Sequence, residues 1–484
     1  MEKTKKKFYI TTPIYYVNDK PHIGHAYTTI AADVLTRFFK KQGKDVFFLT
    51  GTDEHGINIA RAAEKAGKNP QEFCDKNSEL FKRAWKNLNI KYDYFIRTTD
   101  EHHEKTVKDF LKKLKQKDAV YEKEYTGLYC SGCEKFLTEK ELIDGKCPDH
   151  KKEPEKISEK NWFFNLEKYL KQVESLIKKN KLILRPEYAK KETLGLFKQK
   201  LEDFSISRQK VKWGIELPFD KNQTVYVWVD ALLNYISGDG SEKFKKYWED
   251  GYVIHLLAKD ILKFHAIYWP AMLNAVGHKT PDKEFIHGFF TINGQKMSKT
   301  LGNVIDPNNI VEKFGSDAAR YLLLSQFPFG QDGDIKEEKF VEKYNADLAN
   351  GLGNLVARVL TLVARNSIQY TRSSKIDSKI LANIKKLKKD YKKLMQEFKL
   401  YETLDEVWKF ISFCDLYIEK EKPWQLIKNH ESRVKNYELE KILNNLLYCI
   451  NEISDLVAPF LPETSKKIKE QLKSGKSIPL FPRI

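Results

Sequence analysis

Two short segments far apart in the chain constrain the fold most, because their residue types are useful together only when the segments meet. The first, His22-Ile23-Gly24-His25, follows an apolar run that starts at Phe8 and opens a helical pattern over residues 26–40. Gly24 lets the backbone approach a ligand, and a helix N-terminus favours negative charge. The second, Lys296-Met297-Ser298-Lys299-Thr300, carries two lysines that can hold a polyphosphate. Each alone is typical of an exposed turn. In this order the histidine turn (residues 22–25) and the lysine loop (residues 296–300) predict a site for ATP phosphates.

The distribution of apolar residues predicts an α/β protein. Residues 8–117 alternate apolar strands, such as 46–50, with amphipathic helices, such as 58–66. That alternation is typical of a parallel sheet with crossover helices, whose ligands bind at the carboxyl ends of the strands. A second half of the sheet is predicted at residues 224–229 and 252–257. Further along the chain the periodicity is helical almost throughout, which predicts an all-α domain.

The cysteines predict a metal site. Three of the six are Cys130, Cys133 and Cys147, and His150 follows the last of them. Two short-spaced ligand pairs of this kind suit one tetrahedral Zn²⁺ in a closed, structural site. Scattered buried thiols are the alternative interpretation. The remaining cysteines lack such spacing and are predicted to be core residues.

The chain has a formal net charge of +18 and a pI near 9.2, which suggests a polyanionic partner. A lysine-rich composition unrelated to binding explains the charge equally well, so charge alone does not decide the partner. No apolar run reaches membrane-spanning length, and the first residues lack the apolar core of a signal peptide. We therefore expect a cytoplasmic protein without a membrane partner.

In the histidine turn and the lysine loop the chain resembles the class I aminoacyl-tRNA synthetases, and more narrowly the bacterial-type methionyl-tRNA synthetases. The resemblance extends from residues 8–13 to residues 479–483. Thr300 stands where the family most often has serine and keeps the hydroxyl. Ala258 stands where the family usually has glycine, which adds a methyl group beside the nucleotide and would crowd its ribose.

The resemblance implies a two-step reaction. L-Methionine is activated by ATP to methionyl-adenylate with release of pyrophosphate. The amino acid then passes to the 3′-terminal adenosine of tRNA(Met), initiator tRNA included. Mg²⁺ is expected with the ATP, and catalysis is expected to consist mostly of positioning and charge stabilisation.

The implied architecture is a Rossmann-type parallel sheet, split by a zinc-knuckle insertion and followed by an all-α helical bundle. The two catalytic halves are expected at residues 1–117 and 224–288, with the connective insertion at 118–223. Residues 289–345 would form a stem-contact region with the lysine loop, and 346–484 an anticodon-binding domain.

The resemblance also assigns the site residues. Asp53 would bind the methionine ammonium group, Ile14 would contribute backbone contact, and the Tyr16 hydroxyl would lie near the sulfur. The methionine side chain would be enclosed by Trp228, Ala231, Leu232, Tyr235, Ile261 and His265. ATP would be bound by His22, Gly24, His25, Asp260, Lys296 and Lys299, with the two histidines and the two lysines as the catalytic residues. Without the resemblance, the aromatic residues and His265 would be interpreted as core.

In the helical domain, Asn354 and Arg358 lie one helical turn apart and match the family's anticodon contacts, and Trp424 matches its stacking residue. On its own, Trp424 would be interpreted as a core anchor. The lysine-rich helix at 385–393 is predicted to be a solvated face. Some family members append a C-terminal tRNA-binding barrel that makes them dimers, and since this sequence stops at Ile484 we expect a monomer.

Other functions are less consistent with the sequence. The valine, isoleucine and leucine synthetases carry a much larger editing insertion, and the cysteine enzyme needs a metal ligand near the chain start, where no cysteine occurs. A small-molecule nucleotidyltransferase would not need the helical domain. A non-catalytic RNA-binding paralogue usually loses one of the two signatures, and both are present here.

Overall fold

The computed structural model describes residues 6–132, 134–148, 151–292, 294–297, 303–366, 368, 376–427 and 433–484. They form two compact units. The first unit contains Phe39–Lys86, Lys91–His287 and the residues up to Pro21, and the second contains His22–Phe38, Asn87–Ile90 and Gly288–Ile484. Within these described ranges, no helix has both the length and the apolar character needed to cross a lipid bilayer.

The alternation of strands and helices predicted for the first part of the chain is confirmed. Its first strand is buried over residues 8–12 and has a hydrogen-bonded parallel strand on each side, as is typical of the centre of such a sheet. The elements in chain order are β1 (Lys7–Tyr16), α1 (Ile23–Lys41), β2 (Asp45–Asp53), α2 (Ile57–Lys65), α3 (Pro70–Asn87), β3 (Tyr94–Arg97) and α4 (Glu101–Gln116).

The region predicted as an insertion begins with a long antiparallel ladder, in which Val120 pairs with Phe164 and Tyr129 pairs with Glu155. A 3₁₀ turn at Glu139–Glu141 lies between the paired strands. The elements are β4 (Val120–Cys130), β5 (Lys135–Leu137), β6 (Glu155–Phe164), α5 (Glu167–Lys178), β7 (Ile183–Arg185), α6 (Glu187–Leu196), β8 (Phe204–Ser205), β9 (Ser207–Arg208), β10 (Glu216–Leu217) and β11 (Asp220–Val225).

The chain then returns to the sheet through two helices. A 3₁₀ turn at Lys259–Ile261 and a π-helix at Phe264–Tyr268 follow the returning strand. The elements are α7 (Val227–Ser237), α8 (Glu242–Glu249), β12 (Tyr252–Ala258), α9 (Trp269–Val276) and β13 (Lys283–His287).

The six-stranded parallel sheet has the order β3-β2-β1-β12-β13-β7. Phe8 pairs with Tyr252 and Ile10 with Ile254, so the two halves predicted from sequence form one continuous sheet. The chain order reverses at β1, and in such sheets ligands bind at the carboxyl ends beside the reversal.

Two details of the sequence-based prediction differ from the structure. The strand predicted at residues 224–229 is wrong: Asp220–Val225 belongs to a small antiparallel sheet, and helix α7 begins at Val227. A short apolar run does not distinguish a strand from a buried helix. In addition, β7 lies inside the predicted insertion 118–223 but extends the parallel sheet beside β13. Its three residues are too few to show a period.

The second unit contains the start of α1, a three-stranded sheet and the helices of the C-terminal part. The predicted helical character of this part is confirmed, with a π-helix at Tyr344–Gly353 before the first long helix. The elements are β14 (Phe290–Ile292), β15 (Gln295–Lys296), α10 (Pro307–Phe314), α11 (Ser316–Leu324), β16 (Gly333–Ile335), α12 (Glu337–Lys343), α13 (Asn354–Arg365), α14 (Ser378–Gln396), α15 (Leu400–Glu421), α16 (Pro423–Ile427), α17 (Arg433–Val457) and α18 (Pro462–Ser474).

Candidate active site

In the first unit, residues predicted to bind the amino acid lie at the carboxyl ends of β1 and β2. Tyr16 and Asp53 are paired across the two strands, and Ile14 is paired with Gly51. The pairing of β1 with β2 is irregular between Thr11 and Ile14, so the end of β1 pairs with β2 in a different register from its beginning. The parallel sheet therefore brings a phenol and a carboxyl group together at the edge where ligands bind.

Asp53 is a buried carboxyl group with an unused acceptor. Its side chain is 6% exposed, and Oδ1 has no hydrogen-bond partner among the described residues. Burial raises the pKa of Asp53 well above its ordinary value, and the charges of Asp230 and Glu134 raise it further. A buried oxygen without a donor is unfavourable unless a ligand supplies one, so the position suits a cationic group.

A buried network joins helix α7 to the loop that follows Asp53. Asp230 on α7 lies 2.7 Å from His55 Nδ1 and 2.8 Å from His103 Nε2, and His103 Nδ1 lies 2.9 Å from the Ser237 hydroxyl. Burial opposes ionisation of Asp230, but its two histidine partners lower its pKa overall. The sequence-based site did not include this network, although His55 and Asp230 stand inside the two motifs used to assign Asp53 and Trp228.

Four of the predicted pocket residues share one face of helix α7, because spacings of three and four residues fall on one side of a helix. The Trp228 ring stacks on Phe264 with 4.1 Å between centroids and an angle of 11°. Leu232 is buried and Ala231 half-buried. The four residues are Trp228, Ala231, Leu232 and Tyr235.

Tyr235 and His265 form an uncharged polar pair. The Tyr235 hydroxyl lies 2.9 Å from His265 Nε2, and His265 Nδ1 lies 2.9 Å from the carbonyl oxygen of Ile261. The carbonyl can only accept, so Nδ1 donates and Nε2 accepts from the hydroxyl. Burial lowers the pKa of His265 to about 4, which keeps the ring neutral. The structure therefore brings three of the predicted residues together without introducing a charge.

Asp260, predicted to bind the ATP ribose, lies in the 3₁₀ turn that follows β12 and is exposed. Ala258 is the last residue of that strand and is half-buried. The turn is therefore at the carboxyl end of the sheet, on the strand next to β1.

The histidine turn belongs to the second unit. Its two imidazole rings stack with centroids 3.7 Å apart. The Gly24 N–H donates to His22 Nδ1 at 3.1 Å, and the His22 N–H donates to His25 Nδ1 at 3.3 Å. Since both Nδ1 atoms accept, each neutral ring carries its proton on Nε2, the kind of donor that a phosphate oxygen accepts from. A Cβ on Gly24 would lie 2.9 Å from the His22 ring, so a larger residue would require the ring to move from this position.

The described part of the lysine loop lies beside the histidine turn. The methyl carbon of Met297 is 3.6 Å from the position that a Gly24 Cβ would take. The Ile23 N–H also donates to the carbonyl oxygen of Ile305 at 3.0 Å. Lys296 lies in β15, but its side chain and the whole of Lys299 are outside the described residues, so their contacts with phosphate stay predictions.

Two of the four predicted zinc ligands are described. Cys130 and Cys147 are both buried and share one small cluster with Leu137. Cys133 and His150 lie outside the described residues, and within the ranges that are described no three metal-ligating side chains form a group. Paired buried thiols in a small turn-rich region fit the donor set of a structural Zn²⁺ site.

Two of the predicted anticodon residues are in contact. The Arg358 guanidinium lies over the Trp424 ring at 4.9 Å from its centroid and is 2.7 Å from Glu419 Oε1. Asn354, the first residue of α13, is exposed one turn before Arg358. The three side chains are thus carried by the start of α13 and by α16 in the second unit.

Comparison with protein families gives two matches. Residues 8–157 and 141–360 match the family described as "tRNA synthetases class I (M)". Residues 377–483 match the anticodon-binding domain of tRNA ligases. Together the two matches cover most of the chain and include the histidine turn, the lysine loop and the C-terminal helices.

Individual relatives agree with these matches. The chain is 43% identical to the methionine–tRNA ligase of Caldanaerobacter subterraneus subsp. tengcongensis over 477 residues, which cover 97% of this chain and 74% of the relative. It is 44% identical to that of Thermotoga maritima over 474 residues, with 96% and 74% covered. Among solved structures, Mycobacterium tuberculosis methionyl-tRNA synthetase in complex with methionyl-adenylate has a TM-score of 0.93 at 34% identity, covering 99% of this chain and all of that one.

Proposed function

Because the chain belongs to the methionine–tRNA ligase family of class I tRNA synthetases, we propose that the site around Asp53 binds methionine and that the histidine turn and lysine loop bind ATP. The reaction is that of a methionine–tRNA ligase. Methionine is activated to methionyl-adenylate, pyrophosphate is released, and the aminoacyl group is transferred to tRNA(Met).

The unpartnered oxygen of Asp53 is the observation that carries the amino-acid site. A methionine ammonium group would supply the donor that the buried Oδ1 of Asp53 lacks. The side chain would extend along the face of α7, where Trp228, Tyr235 and neutral His265 offer aromatic and weakly polar contacts suited to a thioether. Ala231, Leu232 and Ile261 would complete the apolar wall, and Ile14 would contribute backbone contact.

Activation requires stabilisation of charge on the α-phosphate and on the departing pyrophosphate, with little proton transfer. The Nε2–H groups of His22 and His25 would donate to phosphate oxygens, with Gly24 giving the nucleotide room. Lys296 and Lys299 would hold the β- and γ-phosphates. Asp260 would accept from the ribose, and Mg²⁺ would arrive with ATP rather than in a dedicated protein cage.

Asn354, Arg358 and Trp424 would contact the anticodon. Arg358 already covers one face of the Trp424 ring, and a splayed base would stack on the aromatic side chain and bond along its edge. A single structural Zn²⁺ would be held by Cys130, Cys133, Cys147 and His150. A cytoplasmic, monomeric enzyme stays a prediction.

Pyrophosphate exchange measured with each of the twenty amino acids in turn tests this function. We expect exchange with methionine far above the other amino acids, together with methionylation of tRNA(Met) by the same preparation. Exchange with another amino acid at a higher kcat/KM, or tRNA binding without any exchange, would contradict the proposal.

A further inference from the structure

Glu134 links the cysteine-bearing region, which we define as residues 130–147, to the amino-acid site. It follows Cys133 in the sequence, where a charged residue would be expected at the surface, but it is only 4% exposed. Its backbone has a φ of 49°, in the left-handed region that residues other than glycine rarely adopt. Backbone strain of this kind persists only when surrounding contacts hold it.

Those contacts include Tyr16, one of the residues predicted to bind methionine, and the first turn of α2. Glu134 Oε2 accepts from the Tyr16 hydroxyl at 2.7 Å, and Oε1 accepts from the Asn58 N–H at 2.6 Å. The Glu134 carbonyl oxygen accepts from the Tyr226 hydroxyl at 2.6 Å, directly before helix α7 begins. One residue thus contacts the end of β1, the start of α2 and the start of α7.

The contact with Asn58 replaces a missing helix cap. Helix α2 has Gly56 at its N-cap position, which offers no side chain for the free N–H groups of the first turn. The Glu134 carboxylate supplies the acceptor instead, where the helix dipole also favours negative charge. The side-chain amide of Asn58 in turn donates to the carbonyl oxygen of Ser131 at 2.7 Å.

The space around this contact is closed. A Cβ on Gly56 would overlap both Glu134 Oε2 and the Tyr16 hydroxyl. The Tyr16 hydroxyl also lies 2.8 Å from the carbonyl oxygen of His55, in the loop that follows Asp53. Tyr16 is therefore held in one orientation by the carboxylate, beside the carboxyl group proposed to bind the ammonium ion.

We propose that Glu134 is a positioning residue for methionine: it fixes the Tyr16 side chain and the first turn of α2, so that the cysteine-bearing region shapes the amino-acid pocket. The inference rests on the proposed function in taking this pocket as the methionine site. It assigns Glu134 no contact with substrate.

The test compares Glu134→Ala and Glu134→Gln in the full chain with wild type and with Glu139→Ala. Glu139 is an exposed carboxylate in the 3₁₀ turn of the same region, so its removal changes the charge equally. We measure methionine Kd by calorimetry and the KM values for methionine and ATP in pyrophosphate exchange. Charge-assisted hydrogen bonds of this kind give an expected rise in methionine Kd and KM of roughly 10- to 100-fold for Glu134→Ala. We expect a smaller rise for Glu134→Gln, whose amide keeps one acceptor oxygen.

The ATP KM should stay within about twofold in all three variants, and Glu139→Ala should match wild type. The Tyr16→Phe/Glu134→Ala double variant should be little worse than the weaker-binding of its two single variants, Tyr16→Phe and Glu134→Ala, because both changes break the same contact. Unchanged methionine Kd in both Glu134 variants, additive effects in the double variant, or equal rises in the two KM values would each overturn the inference. If wild type itself binds no methionine, the proposed function fails instead.

Discussion

A buried carboxyl oxygen that lacks a donor destabilises a folded protein, and Asp53 Oδ1 is such an atom. Its raised pKa reflects first its burial and then the nearby carboxylates Asp230 and Glu134. Below this raised pKa the group is neutral and does not attract an ammonium ion. Between the ordinary and the raised pKa, the unfolded chain releases a proton that the folded state still holds, so stability falls as pH rises through this window.

Asp53→Asn should therefore separate binding from stability. We expect methionine affinity to fall by roughly 100-fold or more, because the buried ion pair is lost. The free energy of unfolding at neutral pH should rise, because the neutral amide costs less to bury than a carboxylate. Calorimetry and urea unfolding measure the two quantities. In wild type, methionine affinity should increase with pH, whereas the variant should show a flat profile. A variant that binds normally would remove Asp53 from the site.

His265 predicts a second pH effect. Its folded pKa is about 4 because it is buried, whereas an unfolded histidine titrates near 6.5. As pH falls from about 6.5 to about 4, the unfolded chain takes up a proton that the folded state does not. Stability should therefore decrease by about 3 kcal/mol across this window. The difference between wild type and His265→Gln, followed by urea unfolding at several pH values, isolates this contribution. Parallel pH curves for the two proteins would contradict it.

At the scale of single elements, an aromatic ring on which a base could stack belongs to a group of side chains from three helices, α13, α15 and α16. Arg358 on α13 lies against Trp424 on α16 and is paired with Glu419 on α15. The ion pair and the ring together restrict the guanidinium, so less conformational freedom is lost when a base binds.

Trp424→Ala should raise the KM for tRNA(Met) by roughly 10- to 100-fold, the usual value of one base–aromatic stack. Pyrophosphate exchange, which needs no tRNA, should be unchanged. The control is Tyr437→Ala, which removes an aromatic side chain that is 68% exposed on α17. If exchange falls together with charging, Trp424 supports the fold rather than the anticodon.

The cysteine-bearing turns between β4 and β6 are too small to bury much apolar surface, and the described part of their cluster is Cys130, Leu137, Cys147 and Leu142. A metal would contribute the stability that such a core lacks. We expect purified protein to contain about one Zn²⁺ per chain by elemental analysis, and cobalt substitution to give a tetrahedral thiolate spectrum.

Cys147→Ser should lose this metal, whereas Cys449→Ser, which alters another buried cysteine far along the chain, should keep it. Full zinc content in the Cys147 variant would show that the ligand set is wrong.

On the scale of the whole second unit, one guanidinium group joins segments from distant parts of the chain. Arg320 is completely buried and lies 2.6 Å from Asp33 on the helix that follows the histidine turn. It also donates to the carbonyl oxygens of Phe460 and Pro459 at 2.7 and 2.9 Å, and of Leu88 at 3.2 Å. The helix that begins at the histidine turn is thereby attached to the C-terminal helices.

Arg320→Ala should lower the free energy of unfolding by about 3–5 kcal/mol, because it removes the fully buried partner of Asp33 and the donor that three carbonyl oxygens share. Arg37→Ala is the matched control: Arg37 binds the same carboxylate at 2.7 Å, but its side chain is 23% exposed. Its removal should cost less, as urea unfolding would measure. Equal losses in the two variants would mean that burial of the ion pair is not the cause.

Much of this architecture was predictable from short stretches of sequence. The alternation in residues 8–117 and the helical C-terminal part follow from periodicity within a few turns, and both agree with the structure. The strand predicted at 224–229 failed for the same local reason, since an apolar run of that length suits a helix equally well. Strand β7 was missed because three residues show no period.

The sequence by itself determined the family, the two signatures and the residue types at the site, because each of these is written within a few neighbouring positions. Only the tertiary structure decided that Asp53 keeps an unpartnered oxygen, that Asp230 links two histidines, and that Glu134 reaches Tyr16 across 118 positions of the chain. Burial and hydrogen-bond partners depend on which surfaces meet when the chain closes on itself, and no local pattern encodes that.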